Sequence, residues 1–260
     1  MKYLNDNYVI TTGNFQEQQP FPYCVIDNFF QTDIADQLGT EFPDYHSGMY
    51  NGEYNNPLEV KRTCNIWDRF SPLTYLVFRF LNGNEFLNFV SDITNIKKLN
   101  ADYGLHGGGL HIHANGGKLN PHLDYSIHPK LKLQRKLNLL VYLNKNWKDT
   151  WGGDLGLFSK TESEIVLEKK ITPNFNRAII FDTTENSWHG LARPVNCPDN
   201  EYRKSFAVYY LIEPPFELVD TRERALFSLT NEEKNDSKLI ELIDRRSKIG
   251  IGNVENWDRK

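Results

Sequence analysis

The stretch that decides the fold begins Pro121-His122-Leu123-Asp124 and continues Arg135-Lys136-Leu137-Asn138-Leu139-Leu140-Val141-Tyr142-Leu143-Asn144. It resumes at Ala178-Ile179-Ile180-Phe181, Ser187-Trp188-His189-Gly190 and Arg203-Lys204-Ser205-Phe206-Ala207-Val208-Tyr209-Tyr210. Side chains two apart on a β-strand share a face. His122 and Asp124 therefore point together, and Leu123 turns the other way into a core. His189 supplies a second imidazole. Two imidazoles and one carboxylate on one face suit Fe(II) and leave coordination positions open. Arg203 and Ser205 again share a face, and an arginine there can hold a dicarboxylate through a bidentate pair.

Outward from this stretch, short strands and glycine turns dominate from Leu105 onward. Leu110 to His113, Lys136 to Leu143, Leu155 to Phe158, Glu164 to Leu167, Ala178 to Phe181 and Ser205 to Ile212 are the clearest strands. That texture predicts a barrel or jelly roll. Upstream, Phe21 to Asp27 reads as a strand. Asp33 to Phe42 reads as a helix stopped by Pro43. Residues 72 to 99 read as helical, with a break at Asn82-Gly83-Asn84. Residues 44 to 66 show neither period and read as a long irregular loop, a candidate lid rich in tyrosine and glycine. Ser237 to Lys248 reads as a closing helix with Leu239, Ile240 and Ile243 on its apolar face. The expected organisation is an N-terminal strand and supporting helices over 1–99, a catalytic core over 100–213 and an extension over 214–260, all integrated in one domain.

The chain has 260 residues, 39% hydrophobic and 25% charged, enough for one large core. A net charge of −4 gives no global positive field for nucleic acid, so none is expected as a partner. Cys24, Cys64 and Cys197 form no CxxC pair, which favours a reducing cytoplasmic setting. The first residues lack the apolar core of a signal peptide, and no apolar run reaches the roughly eighteen residues of a membrane helix.

The order and spacing of PHLD, YLN, Gly152-Gly153, Asn176-Arg177, SWHG and Arg203-Lys204-Ser205, with Trp147 between, resemble the 2-oxoglutarate- and Fe(II)-dependent oxygenases of the prolyl-4-hydroxylase-like branch. The resemblance covers roughly residues 100 to 213, and more weakly the stretch from Phe21. It implies a mainly β chain with flanking helices (α+β) around a double-stranded β-helix core, the jelly-roll or cupin-like fold. It also implies His122, Asp124 and His189 as iron ligands, and Arg203 as the anchor of the distal carboxylate of 2-oxoglutarate. Tyr142, Asn138, Ser205 and His113 are further candidates at the co-substrate. His113 stands about where relatives carry a tyrosine. The implied cofactors are Fe(II), 2-oxoglutarate and O₂, with ascorbate as a candidate stimulant. The implied reaction is hydroxylation of a peptidyl proline or of a free amino acid or other small metabolite.

Other residues read more blandly. His113 and His111 also fit plain packing, Arg135 reads as a solvated rim residue, Trp188 as a barrel wall, and Gly107-Gly108-Gly109 as a turn. Two rival readings use the same residues. One is a zinc-type hydrolase built on His-Asp-His; the other is a non-catalytic jelly-roll binding module. The first leaves Arg203 and Tyr142 without a task, and the second leaves the metal triad without one.

Overall fold

The alternation of apolar and polar residues along Gln134–Tyr142 divides this strand between two environments. Leu137, Leu139 and Val141 face one apolar cluster, shared with the helices; Leu140 and Tyr142 face a second. The computed structural model, which describes residues 1–162, 164–184, 186–217 and 220–248, shows the consequence as two packed antiparallel sheets. In the larger sheet, Gln134–Tyr142 lies between Ala178–Asp182 and Arg203–Ile212. Beyond Arg203–Ile212 come Gly109–His113, Glu59–Cys64 and Gly52–Asn56, and beyond Ala178–Asp182 come Tyr23–Asp27 and Val9–Ile10. The smaller sheet runs Ile165–Ile171, Leu155–Lys160, Trp188–Leu191, His122–Leu123, Leu226–Phe227. Neighbours distant in sequence alternate between the sheets, as a double-stranded β-helix requires. No helix among the described residues is long and apolar enough to cross a membrane.

Helices Thr32–Glu41, Pro72–Leu81 and Asn84–Thr94 cover the outer face of the larger sheet. Their stripes, including Leu38, Val77, Phe78, Phe86 and Val90, close the core against Leu139 and Val208. Pro72 opens the second helix, where its missing N–H costs nothing, and the Ser71 hydroxyl accepts from the Thr74 amide. The expected break between the second and third helices falls at Asn82 and Gly83.

Two expectations need correction. Residues 44 to 66 are not an irregular loop throughout: Gly52–Asn56 and Glu59–Cys64 form an antiparallel hairpin that extends the larger sheet through Gly109–His113. The period of two is present, but the inward positions Glu59, Lys61 and Thr63 are polar, so no hydrophobic alternation betrays it. In the closing helix Ser237–Lys248, Leu239 is buried against Leu58 and Phe227, with Leu242 and Ile243 beside it, whereas Ile240 is 49% exposed. Only one side of this helix meets the body, and spacing of three and four from Leu239 selects Leu242 and Ile243, not Ile240. The part of the expected C-terminal extension from 249 to 260 lies outside the described residues.

Asn176 fastens the helical layer to the sheet. Its amide donates to the Phe30 carbonyl and accepts from the Phe30 N–H, each at 2.8 Å, and its own carbonyl accepts from Phe29. It holds φ at 60°, a conformation that asparagine tolerates better than most residues. Asn176→Ala should therefore destabilise the protein by about 2–3 kcal/mol, the loss of two buried hydrogen bonds with their partners left unpaired. Urea denaturation measures it. Asn176→Gly, which keeps the backbone freedom, should lose nearly as much; a much smaller loss there would assign the effect to the backbone instead of the amide.

Candidate active site

The space between the sheets opens into a cavity of about 520 Å³. The smaller sheet contributes a set of side chains that could hold a metal ion. His122 and His189 are direct cross-strand partners, with ring centroids 4.3 Å apart. Asp124 follows the His122–Leu123 strand, its carboxylate oxygens 3.8 Å from His122 Nε2 and 3.6 Å from His189 Nε2. The three candidate ligand atoms lie within 4.8 Å of one another, and all three residues are buried. Leu123 turns away, as expected, and packs with Phe158, Ile165 and Trp188. Trp188 is thus a wall on the far side of the strand.

Backbone carbonyls set the imidazoles. His122 Nδ1 donates to the Asn120 carbonyl at 3.0 Å and His189 Nδ1 to the Ser187 carbonyl at 2.8 Å. A carbonyl can only accept, so each ring holds its proton on Nδ1 and turns an unprotonated Nε2 toward Asp124. Burial holds both rings neutral: it lowers His189 and, with His189 beside it, draws His122 down to about 3. For Asp124, burial is the largest influence and opposes ionisation, but Arg135, together with His189, His122 and Lys61, outweighs it and holds the carboxyl at about 2.

Arg135 is a correction to the sequence reading. It is not a solvated rim residue but among the most completely buried side chains of the protein. Its guanidinium lies 3.4 Å from Asp124 Oδ1 and donates to the His106 carbonyl at 2.7 Å. The rings of Tyr125 and Tyr209 clamp it, each centroid 3.3 Å from its Cζ. Weakly hydrated guanidinium tolerates such stacking, where an ammonium would not.

The larger sheet supplies the opposite wall. Arg203, Ser205 and Tyr209 follow the period of two along Arg203–Ile212 and line the cavity with His111 and His113 from the adjacent strand and Asn138 from the other neighbour. Arg203 is buried, donates to the Gly153 carbonyl at 2.5 Å and to the Tyr142 hydroxyl at 3.1 Å, and has no carboxylate within ion-pair distance among the described residues. Desolvation pulls its pKa below the ordinary arginine value. Tyr142 is fully buried and outside the cavity wall, so it touches the site through Arg203. Both ring nitrogens of His113 and the Asn138 Oδ1 are buried without a protein partner, which leaves three polar atoms beside Arg203's strand for a ligand. The turn Gly107-Gly108-Gly109 brings the His111 strand close: a Cβ on Gly109 would collide with the Cys64 carbonyl.

These observations agree with comparisons to known proteins. Residues 108–211 match the family model described as the 2OG-Fe(II) oxygenase superfamily. Over this segment the chain is similar to the 2OG-Fe(II) oxygenases. A prolyl hydroxylase of Trichoplax adhaerens, solved in complex with a peptide fragment of the hypoxia inducible factor oxygen degradation domain, is similar at 20% identity and TM-score 0.53 over 73% of this chain and 83% of that one. A Pseudomonas putida prolyl-4-hydroxylase is similar at 13% identity and TM-score 0.52, over 74% of this chain and 92% of that one. At these identities the likeness shows the shared fold. A search among curated proteins returns no significant match.

The sequence reading missed Arg135's place, Tyr209, Tyr125 and the hairpin residues Glu59 and Lys61. Tyr209 was within reach, because it lies six residues beyond Arg203 on the same face. Tyr125 sits beyond the strand, where alternation no longer applies.

The Arg135–Asp124 pair predicts a metal-dependent stability effect. Removing one partner of a buried ion pair costs roughly 3–5 kcal/mol, because the other charge is stranded. Arg135→Met should therefore destabilise the metal-free protein strongly in urea denaturation at pH 7. Saturating Mn(II), which supplies Asp124 with a new counter-charge, should recover part of the loss. Equal losses with and without metal would reduce Arg135 to a packing residue.

Proposed function

We propose that the protein is a hydroxylase of the 2-oxoglutarate and Fe(II) class, with His122, Asp124 and His189 holding the metal and Arg203 holding the co-substrate. The observation that carries the reading is Arg203: a buried guanidinium with no carboxylate within ion-pair distance among the described residues, in the same cavity as a His-Asp-His set. A buried cation is costly unless paired. A dicarboxylate that reaches from the metal to Arg203 offsets that cost with its distal carboxylate.

The donor set fits iron. Two neutral imidazoles presenting Nε2 and one ionised carboxylate satisfy a divalent ion while leaving coordination positions open. When bound, iron and 2-oxoglutarate supply the oxidising chemistry, in which O₂ is consumed, succinate and CO₂ are released and a substrate C–H becomes C–OH. The protein's part is placement and exclusion of water. The Asn120 and Ser187 carbonyls fix ring orientation; Arg135 keeps Asp124 ionised and aimed; Tyr142 and Gly153 fix the fork of Arg203. Ser205, Asn138 and His113 offer hydrogen bonds next to it. His113, held neutral by burial and by Arg203, can donate from one nitrogen to a co-substrate oxygen. A zinc hydrolase has no use for Arg203, and a passive binding module has none for the triad.

A small-molecule or peptide substrate is compatible with the cavity. The buried free thiols of Cys24, Cys64 and Cys197 support a reducing, cytoplasmic setting.

Succinate formation with Fe(II) and 2-oxoglutarate tests the reading. His122→Ala, Asp124→Ala and His189→Ala should each reduce it at least a hundredfold with the fold retained by circular dichroism; two variants at wild-type turnover would refute the triad. Arg203→Met should raise the KM for 2-oxoglutarate about ten- to a hundredfold, the worth of one charge-assisted hydrogen bond. An unchanged KM would move the carboxylate anchor elsewhere.

A further inference from the structure

The hairpin and the closing helix meet at one side of the cavity through three charged side chains. Glu59, on the inward face of Glu59–Cys64, is almost completely buried. It pairs with Lys61 at 3.1 Å and with Arg246 of Ser237–Lys248 at 2.8 Å. Burial alone would raise its carboxyl, but these two cations outweigh that and hold it at about 2. One carboxylate is therefore divided between two cations. Lys61 has only a share of its partner's charge, and its side chain keeps 14% exposure where it lines the cavity.

The same wall is otherwise polar. Asn51, Tyr54, Thr63 and Asn65 line it beside Lys61, and Tyr54 sets its ring 5.0 Å from the Lys61 ammonium. His111, the direct cross-strand partner of Thr63, contributes an Nε2 that is buried without a protein partner. A lysine aimed into a cavity, flanked by the Thr63 hydroxyl and side-chain amides, is the chemistry of an anion site.

We propose that this wall is the recognition end of the primary-substrate site and that it binds an anionic head group, carboxylate or phosphate, of a small molecule. The inference rests on the oxygenase reading and deepens it. A cavity of about 520 Å³ must hold co-substrate and substrate together, so the portion of substrate inside is small. The head group sits on Lys61, and the remainder extends toward the triad. Glu59 tunes the site: by sharing itself between two cations it holds Lys61 in place without cancelling its charge. An internal peptidyl proline, which is neutral, leaves Lys61 without a task.

The test is calorimetric binding to the full chain loaded with Mn(II) and 2-oxoglutarate, which does not redox-cycle. The probes are L-proline and L-lysine against their methyl esters, glucose 6-phosphate against glucose, and an acetyl-proline-amide peptide. At least one anion should bind ten times tighter than its neutral partner, and which pair discriminates assigns carboxylate or phosphate. Lys61→Met should abolish that discrimination and Lys61→Arg should keep it. Glu59→Gln should tighten anion binding threefold or more, opposite in sign to Lys61→Met, whereas a merely structural cluster would lose binding in both. Equal binding within every pair, no binding by any anion, or preference for the blocked peptide overturns the proposal. These outcomes can be read on the wild-type protein even if a variant fails to fold. Succinate formation is measured separately, so its failure with anion binding intact would strike the oxygenase reading alone.

Discussion

The pair of Arg135 and Asp124, 3.4 Å apart and both buried, is the interaction on which the site depends. A carboxylate so buried would tend to take up a proton, and a protonated Asp124 would be a poor ligand for a cation. Arg135 removes that option. The arginine itself survives burial because Tyr125 and Tyr209 cover both its faces and the His106 carbonyl accepts from its edge. The chain thus invests two aromatic rings and a backbone carbonyl in keeping one ligand charged. The two histidines are managed in the opposite sense: burial keeps them neutral, and backbone carbonyls choose the nitrogen that carries the proton.

The two sheets divide the labour. The smaller sheet brings His122 and His189 side by side through direct strand pairing, so their spacing is a property of the backbone register. The larger sheet brings Arg203 beside His113 through another register. Any slip of one residue in either strand would turn the functional side chains into the core and the core side chains into the cavity. Packing of Leu123 with Phe158 and Trp188, and of Val208 with Leu139 against the helices, is therefore also what fixes the chemistry.

Much of this was legible in the sequence because alternation is a local signal. His122, Asp124 and His189 were identifiable as one face, and the division of Gln134–Tyr142 between two environments followed from its pattern. The helices were legible from apolar spacing, with starts and the break at Asn82 and Gly83 placed to within a residue or two; the stretch read as helical to residue 99 ends at Thr94, where Asn95 turns left-handed. What escaped was whatever depended on a polar period. The hairpin Gly52–Asn56 with Glu59–Cys64 hid because its inward face is Glu59, Lys61 and Thr63 instead of valine or isoleucine. Arg135 was misread because a charged residue at the head of a strand is ordinarily solvated. Nothing local announces that Tyr125 and Tyr209, one before it and one far after, will close over it. Ile240 was misassigned because a helix that docks through a single narrow stripe leaves part of its apparent apolar face in water.

The union of Glu59 with Arg246 spans 187 residues of sequence and joins the hairpin to the last described helix. Both partners lie outside the 108–211 segment that carries His122, Asp124, His189 and Arg203. The His-Asp-His set and Arg203 thus lie in one continuous block, while Glu59, Lys61 and Arg246 come from the flanks on either side. On the proposed reading, mutations in the flanks remodel what enters the cavity without touching the His-Asp-His set, so selectivity and reactivity are separated along the chain itself. Lineages that share the block are free to diversify in their choice of molecule by drift and selection at its borders.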